Sequence, residues 1–220
     1  MTPLVLYYFP SSGPCRMALS AIRCLGLDVE IREIDLLAKE QLKEDFIRIN
    51  PQHTVPTLDD DGFILTESRA IALYLVEKYF PNGHSLYPKD VKQRALINQR
   101  LQFDCGTLYP RIKAIQWKIM YTGATTINEE DRQNAYKALE MLNTFLDGNK
   151  YLTGSEEPTL ADAITFVSVT NVVKLGNDLS KFPNIAAWFE RCKALPSAAD
   201  NFAGAKLMEE RVRSTLTENL

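Results

Sequence analysis

The residues best suited to take part in a reaction form the segment Ser11-Ser12-Gly13-Pro14-Cys15-Arg16. This segment lies between an apolar run at 4–9 and an amphipathic run at 17–25. A strand, a tight turn and a helix in this order place the turn at a helix N-terminus, where unpaired N–H groups and the helix dipole favour an anion. Ser12 stands where a Cys-x-x-Cys redox motif has its first cysteine, so the segment suits activation of a thiol rather than thiol exchange. The structural alternative is that Ser12 only caps the helix.

The elements that position this turn follow from the hydrophobic pattern of the first eighty residues. Strands are predicted at 4–9, 30–34, 57–59 and 63–66, and helices at 14–25, 39–49 and 67–79. The turn Asp59-Asp60-Asp61-Gly62 makes the last two strands antiparallel, so the predicted domain is α/β with a mixed sheet. The predicted domains are 1–80, a linker at 81–90 and an all-helical part over 91–220.

The predicted helical part has one central and several amphipathic helices. Apolar residues from Ala135 to Leu146 follow the helical period and stop before Gly148. Thr159 and Asp162 have capping-box spacing ahead of a helix that is apolar nearly all round, and another helix is expected over 184–195. Asp104 lies on an otherwise apolar face of the first long helix and needs a partner, whereas the path of the tail over 200–220 stays open.

Composition excludes several classes of protein. The chain of 220 residues has a formal net charge of −3 with both signs interspersed, which argues against a nucleic-acid partner. The N-terminus has no signal-peptide pattern and every apolar run is too short or too interrupted to cross a membrane, so we expect a cytoplasmic protein. Scattered cysteines and only two histidines predict reduced, mostly buried thiols and no metal site: Cys15, Cys24, Cys105, Cys192, His53 and His84.

Further segments combine with the Ser12 turn into a specific pattern. They are Asn50-Pro51-Gln52-His53-Thr54-Val55-Pro56, Glu67-Ser68-Arg69-Ala70-Ile71, Ser85-Leu86-Tyr87-Pro88-Lys89 and Thr159-Leu160-Ala161-Asp162. In this order they resemble the cytosolic glutathione S-transferases over nearly the whole chain, most of all the insect delta and epsilon classes. The resemblance implies a thioredoxin-like α/β N-terminal domain followed by an all-α helical-bundle C-terminal domain, and a homodimer.

The resemblance also implies an activity. Ser12 matches the catalytic serine whose hydroxyl hydrogen-bonds the glutathione sulfur and favours the thiolate, with Ser11 as its competitor for this role. The thiolate would attack small hydrophobic electrophiles in detoxification, with peroxide reduction or dehydrochlorination as side activities. Glutathione is then the co-substrate and no metal is required.

The family pattern assigns two groups of binding residues. Those matched to glutathione are Gln41, His53, Val55, Pro56, Glu67, Ser68 and Arg69, with Asp104 beside Arg69. Gln41 departs from the pattern, since many relatives carry a second histidine there, and His53 has an ordinary loop histidine as its alternative. Helical position predicts an electrophile wall, although the same aromatic spacing suits a core: Phe9, Ser11, Tyr109, Ile112, Lys113, Trp117 and Tyr121.

Two other functions are compatible with these residues. Cys15 would be the nucleophile of a thiol-disulfide oxidoreductase, although the family pattern makes it a buried helix residue. A non-catalytic binding or assembly module would keep the fold without activating a thiol. The presence of Ser12, His53, Glu67 and Ser68 together argues against this module, whereas a disulfide-exchange assay of Cys15→Ser would separate the oxidoreductase from the transferase.

Overall fold

The computed structural model describes residues 4–215 and 217. The N-terminal part contains a four-stranded sheet of order β2-β1-β3-β4, built from β1 (Leu4–Tyr8), β2 (Val29–Glu33), β3 (Thr57–Asp60) and β4 (Phe63–Thr66). β1 pairs parallel with β2 and antiparallel with β3, and β3 pairs antiparallel with β4, so the sheet is mixed. β1 is central and buried at every position, which explains its continuous apolar run. With a helical C-terminal part, this confirms the predicted fold class.

The N-terminal helices are α1 (Gly13–Cys24), α2 (Glu44–Ile49) and α3 (Ser68–Tyr79). The single helix predicted over 39–49 is wrong, because this segment forms a 3-10 turn (Glu40–Leu42) followed by the short α2. The backbone explains the break: Lys39 has a positive φ of 57°, and Lys43 is extended with a ψ of 146°. α3 begins one residue later than predicted, since Glu67 has a φ of 69°.

The C-terminal part is helical, and α7 is its central element. Its helices are α4 (Val91–Phe103), α5 (Tyr109–Thr122), α6 (Glu129–Phe145), α7 (Leu160–Lys174), α8 (Pro183–Cys192) and α9 (Ala198–Arg213). α7 is buried on all sides from Leu160 to Val172, and the predicted capping box of Thr159 and Asp162 is present at its start. Asp162 also accepts from the indole N–H of Trp188 at 2.9 Å, which fixes α8 against α7.

A π-helical turn (Asp104–Leu108) joins α4 to α5. Asp104 was expected inside a regular helix, but it opens this turn and is fully buried. The tail that the sequence left open forms α9 up to Arg213, and residues 216 and 218–220 lie outside the described part of the chain. No helix among the described residues is long and apolar enough to cross a membrane.

α1 connects the two parts of the molecule. It packs against α3 on the N-terminal side and against α7 and α9 on the C-terminal side. The approach of α9 is very close, since a Cβ on Gly204 would lie 2.3 Å from the carbonyl oxygen of Pro10 and 2.6 Å from Cδ of Arg16. The loop before α1 is therefore held in place by a helix from the far end of the chain.

Candidate active site

A cavity of about 320 Å³ lies where the loop between β1 and α1 meets α5, within the size range of small-molecule sites. Phe9, Ser11 and Ser12 line it from the loop. Most of the other predicted site residues also line it: Gln41, His53, Val55, Tyr109, Lys113, Trp117 and Tyr121. The fold thus brings residues separated by about a hundred positions into one wall.

Ser12 lies at the N-terminus of α1 and at the cavity wall. Its backbone N–H donates to the Phe9 carbonyl at 3.0 Å, and its hydroxyl oxygen accepts from the N–H of Cys15 at 3.4 Å. Accepting this bond uses a lone pair and leaves the O–H proton available to an anion in the cavity. Capping the helix and donating to a ligand are therefore compatible roles for one hydroxyl.

Cys15, unlike Ser12, is not available to a ligand. It is fully buried, and burial raises the pKa of its thiol to about 12. Its sulfur accepts from the N–H of Phe9 at 3.4 Å, so it packs beneath the loop. A thiol in this state is not a nucleophile at neutral pH. Cys192 is also buried, Cys24 is half-buried and Cys105 is exposed, and all four cysteines are free.

The buried side chain of Asn50 organises the loop that carries His53 and Val55. Its Nδ2 donates to the Thr54 carbonyl at 3.0 Å, and its Oδ1 accepts from the Gln52 N–H at 2.9 Å. His53 is exposed and has a φ of 46°, uncommon for a residue with a side chain. The Val55–Pro56 peptide bond is cis, and Pro56 itself is buried outside the cavity wall.

Gln41 reaches the cavity from the 3-10 turn and is half-buried. Its Oε1 atom is buried and, within the described part of the chain, has no hydrogen-bond partner. Since this oxygen can only accept, a ligand carboxylate would have to bind the Nε2 donor of the same amide.

Glu67, Ser68 and Arg69 lie at the start of α3 and are not among the residues that line the cavity. Glu67 is exposed, whereas Ser68 is buried and accepts from Nη1 of Arg69 at 3.1 Å. Arg69 is the partner that Asp104 was predicted to need. Arg69 also lies 5.5 Å from the ring centroid of Tyr109, which connects this cluster to the cavity wall.

α5 supplies an aromatic surface to the cavity. Trp117 and Tyr121 are 52% and 55% exposed, and their rings lie 4.4 Å apart. Lys113, on the same helix, is exposed as well. Ile112 differs from its prediction, because it is fully buried in the hydrophobic core and is not part of the wall. Ile112 directly precedes Lys113 on α5, so its side chain points in a different direction, into the core.

Several cavity residues were not predicted. Leu36 and Thr54 come from loops, Gln116 and Met120 from α5, and Met208 from α9. Gln116 Nε2 lies 3.5 Å from the sulfur of Met208, so α9 contacts the wall formed by α5. No local motif marks Met208, because its place in the cavity depends on how α9 packs.

A second cavity shares Phe9 and Ser11 with the first and extends towards the end of α9. Leu37 and Leu207 line it and are 53% and 47% exposed. Arg211 lines it too, and its Nη1 atom is buried without a partner in the described residues. The apolar surface next to Ser11 therefore continues beyond the first cavity.

The two parts of the chain match two family descriptions. "Glutathione S-transferase, N-terminal domain" matches residues 6–83, and "Glutathione S-transferase, C-terminal domain" matches residues 115–196. Glutathione S-transferase D7 of Drosophila melanogaster is 43% identical over 202 residues, which are 91% of this chain and 89% of the relative. The chain belongs to the glutathione S-transferase family. It is thus a transferase of a family that uses glutathione as co-substrate.

Solved structures of insect glutathione transferases have the same fold. A delta-class enzyme of Nilaparvata lugens is 40% identical, with a TM-score of 0.91 over 97% of this chain and 100% of that one. An epsilon-class enzyme of the housefly, Musca domestica, is 37% identical, with a TM-score of 0.91 over 99% of this chain and 100% of that one. The resemblance to both insect classes is confirmed. No cluster of three or more metal-binding side chains occurs among the described residues of this transferase.

Proposed function

We propose that this glutathione S-transferase activates glutathione as a thiolate through Ser12 and conjugates it to small hydrophobic electrophiles. The observation that carries the proposal is the position of Ser12, at the N-terminus of α1 and in the cavity wall with its O–H proton free to donate. A hydrogen bond to the anion and the helix dipole both lower the pKa of a bound thiol. The thiol proton leaves to solvent. The sulfur then forms a bond to the electrophilic carbon, and the leaving group departs with the electron pair of the bond that breaks.

We assign glutathione binding to the 3-10 turn, the loop before β3 and the start of α3. The backbone of Val55, followed by Pro56, pairs with the cysteinyl unit in the manner of an added strand. Gln41 and His53 bind the glycyl carboxylate. Glu67, Ser68 and Arg69 bind the γ-glutamyl group, with the start of α3 supporting its carboxylate.

The electrophile occupies the apolar side of the cavity, against α5 and the β1–α1 loop. Its proposed contacts are Phe9, Ser11, Tyr109, Lys113, Trp117 and Tyr121. Exposed aromatic rings offer the area that a small apolar compound needs to bury. Detoxification is the role proposed for this chemistry, with peroxide reduction and dehydrochlorination as side activities of the same thiolate.

Assays of the purified protein with glutathione and a panel of electrophiles test the proposal. Ser12→Ala is expected to reduce turnover by roughly 10- to 1,000-fold and to raise the pH midpoint towards that of a free thiol, near 8.5. Ser11→Ala is the matched control and should keep the pH profile. If Ser11→Ala loses activity while Ser12→Ala is unchanged, the activating residue is Ser11 and the proposal is wrong.

Disulfide exchange is the rival activity, and Cys15→Ser tests it. The raised pKa of the buried Cys15 thiol favours the transferase. We therefore expect Cys15→Ser to keep conjugation and to change no disulfide-exchange rate. A loss of disulfide exchange in this variant would support the oxidoreductase instead.

The assembly and location of the protein are part of the proposal. Members of this family are generally dimers, and we assign a homodimer in which α3 meets the partner near Asp104. Sedimentation should then give twice the chain mass of 24.9 kDa, and a monomer mass at all concentrations would contradict the assignment. The domain division of 1–80, 81–90 and 91–220 and a cytoplasmic location are proposed on the same grounds.

A further inference from the structure

Arg16 is a buried cation whose hydrogen bonds go only to neutral groups. It is 1% exposed. Nη1 donates to Oδ1 of Asn201 at 2.6 Å and to its carbonyl oxygen at 3.4 Å, and Nη2 donates to Oδ1 of Asn171 at 2.5 Å. Nε has no partner in the described part of the chain. The charge is therefore held in place but not balanced.

Other arginines near α1 are paired differently. Arg23, two turns further along the helix, forms an ion pair with Asp200 at 2.8 Å, and Arg69 pairs with Asp104. A carboxylate is the usual partner of a buried arginine, because burying an unbalanced charge is costly. An unbalanced buried charge on α1, the helix that begins at the Ser12 turn, therefore indicates that the positive charge has a function.

The charge is connected directly to the thiol-activating turn. The N–H of Arg16 donates to the Ser12 carbonyl at 3.1 Å, one helical turn away. Its partner Asn171 touches the residue after Ser12, since a Cβ on Gly13 would lie 3.0 Å from Nδ2 of Asn171. Tyr109, a residue of the cavity wall, reaches the same point, with its hydroxyl 3.2 Å from that Cβ position.

We propose that Arg16 is a positioning residue that supplies an unbalanced positive charge behind the N-terminus of α1 and thereby stabilises the glutathione thiolate at Ser12. The inference deepens the proposed function and rests on it. Arg16 does not touch the sulfur. It acts through the field of its guanidinium and through the turn that Asn171 and Gly13 hold in place.

The groups around Arg16 leave its charge unopposed. β1 presents Tyr8, α5 presents Tyr109 and α1 itself presents Cys15, and burial raises the pKa of all three, so they are neutral at pH 7. Burial lowers the pKa of Arg16 to about 10, so the guanidinium remains charged. Two charged residues on the packed helices are already paired: Arg69 of α3 with Asp104, and Asp200 of α9 with Arg23.

The test places a carboxylate next to the guanidinium without changing the size of any side chain. Asn171→Asp and Asn201→Asp each convert an existing acceptor of Arg16 into an anion. Arg16→Met removes the charge directly, but it also leaves the buried acceptors of Arg16 without a donor and can therefore destabilise the fold. The test therefore relies on the two aspartate variants. The matched control is Asn143→Asp, in the contact between α6 and α8, where Oδ1 of Asn143 accepts from the amides of Asn184 and Ile185.

The readout is the pKa of the glutathione thiol bound to each full-length variant, from ultraviolet difference titration, together with the pH profile of kcat/KM. Both aspartate variants should keep the fold and raise the thiol pKa by roughly 1 unit, whereas Asn143→Asp should not change it. A folded aspartate variant with an unchanged thiol pKa overturns the proposal. Failure of both to fold also overturns it, because a carboxylate beside an unbalanced guanidinium must be tolerated.

Ser12→Ala in the same titration separates this inference from the proposed function. If Ser12→Ala leaves the thiol pKa unchanged while both aspartate variants raise it, the serine role fails and the Arg16 role stands. If only Ser12→Ala raises the pKa, the serine role stands and the Arg16 role fails.

Discussion

The guanidinium of Arg69 donates to the carboxylate of Asp104 across the interface between α3 and the π-helical turn. The second oxygen of Asp104 accepts from the hydroxyl of Ser168 on α7 at 2.6 Å, and Asp104 is fully buried. Three elements from both parts of the chain therefore meet at one carboxylate. Since Arg69 also approaches the ring of Tyr109, this cluster supports the cavity wall as well as the start of α3.

Asp104→Asn should strongly destabilise the protein. It leaves the buried guanidinium of Arg69 without a counter-charge, which costs about 3–5 kcal/mol of unfolding free energy. The double variant Arg69→Met with Asp104→Leu removes both charges and should recover part of this loss. Urea unfolding of the three proteins measures it, and equal stability of Asp104→Asn and the natural chain would contradict the pairing.

Gly204→Ala should move α9 away from the loop that carries Ser12. The new Cβ would lie 2.3 Å from the Pro10 carbonyl oxygen, so the backbone must shift to relieve the clash. This shift should cost about 1–3 kcal/mol of unfolding free energy. The KM for the electrophile should rise as well, because α9 contributes Met208 to the cavity. Gly106→Ala is the matched control: nothing lies within 4 Å of its Cβ position, so we expect no loss of stability.

Trp117→Ala should weaken the binding of apolar electrophiles and leave glutathione binding nearly intact. The ring is half-exposed and lies against the ring of Tyr121, so its removal takes apolar area from the cavity without opening the core. Steady-state KM values for both substrates test this. Met141→Ala, an exposed apolar residue of α6, is the control and should change neither value. Unfolding of Trp117→Ala would show that the ring belongs to the core.

Gln41→His should tighten glutathione binding below about pH 6.5, where an unperturbed imidazole is protonated. A charge-assisted hydrogen bond to the glycyl carboxylate is stronger than one from a neutral amide, and solvent screening limits the gain to roughly 1 kcal/mol or less. At pH 8 the two proteins should bind glutathione equally. Titrations at both pH values decide the matter, and equal affinity at the lower pH would mean that this side chain does not reach the carboxylate.

Local patterns predicted much of the fold. The antiparallel pairing of β3 and β4 follows from an Asp-Gly turn, and the helix start at Thr159 follows from its capping box. The need of Asp104 for a partner was visible because a carboxylate on an apolar face cannot stay unpaired. These features depend on residues close in sequence or on the chemistry of one buried group.

The rest depends on packing between distant segments. Asn171 lies on a helix that is buried on all sides and Asn201 lies on α9, and nothing in the sequence near them indicates Arg16 as their partner. Lys39 adopts a left-handed backbone conformation that its residue type does not suggest, so the helix break there was missed. Met208 joins the cavity because α9 packs against the loop at Gly204.

The anchoring of Arg16 links the two domains thermodynamically. Both side chains that accept from its guanidinium lie beyond residue 160, whereas Arg16 itself lies in the first helix. Pulling the domains apart would strip these acceptors from the cation and expose the apolar face of α1 that packs on α7. We therefore expect the two halves to unfold in a single cooperative transition.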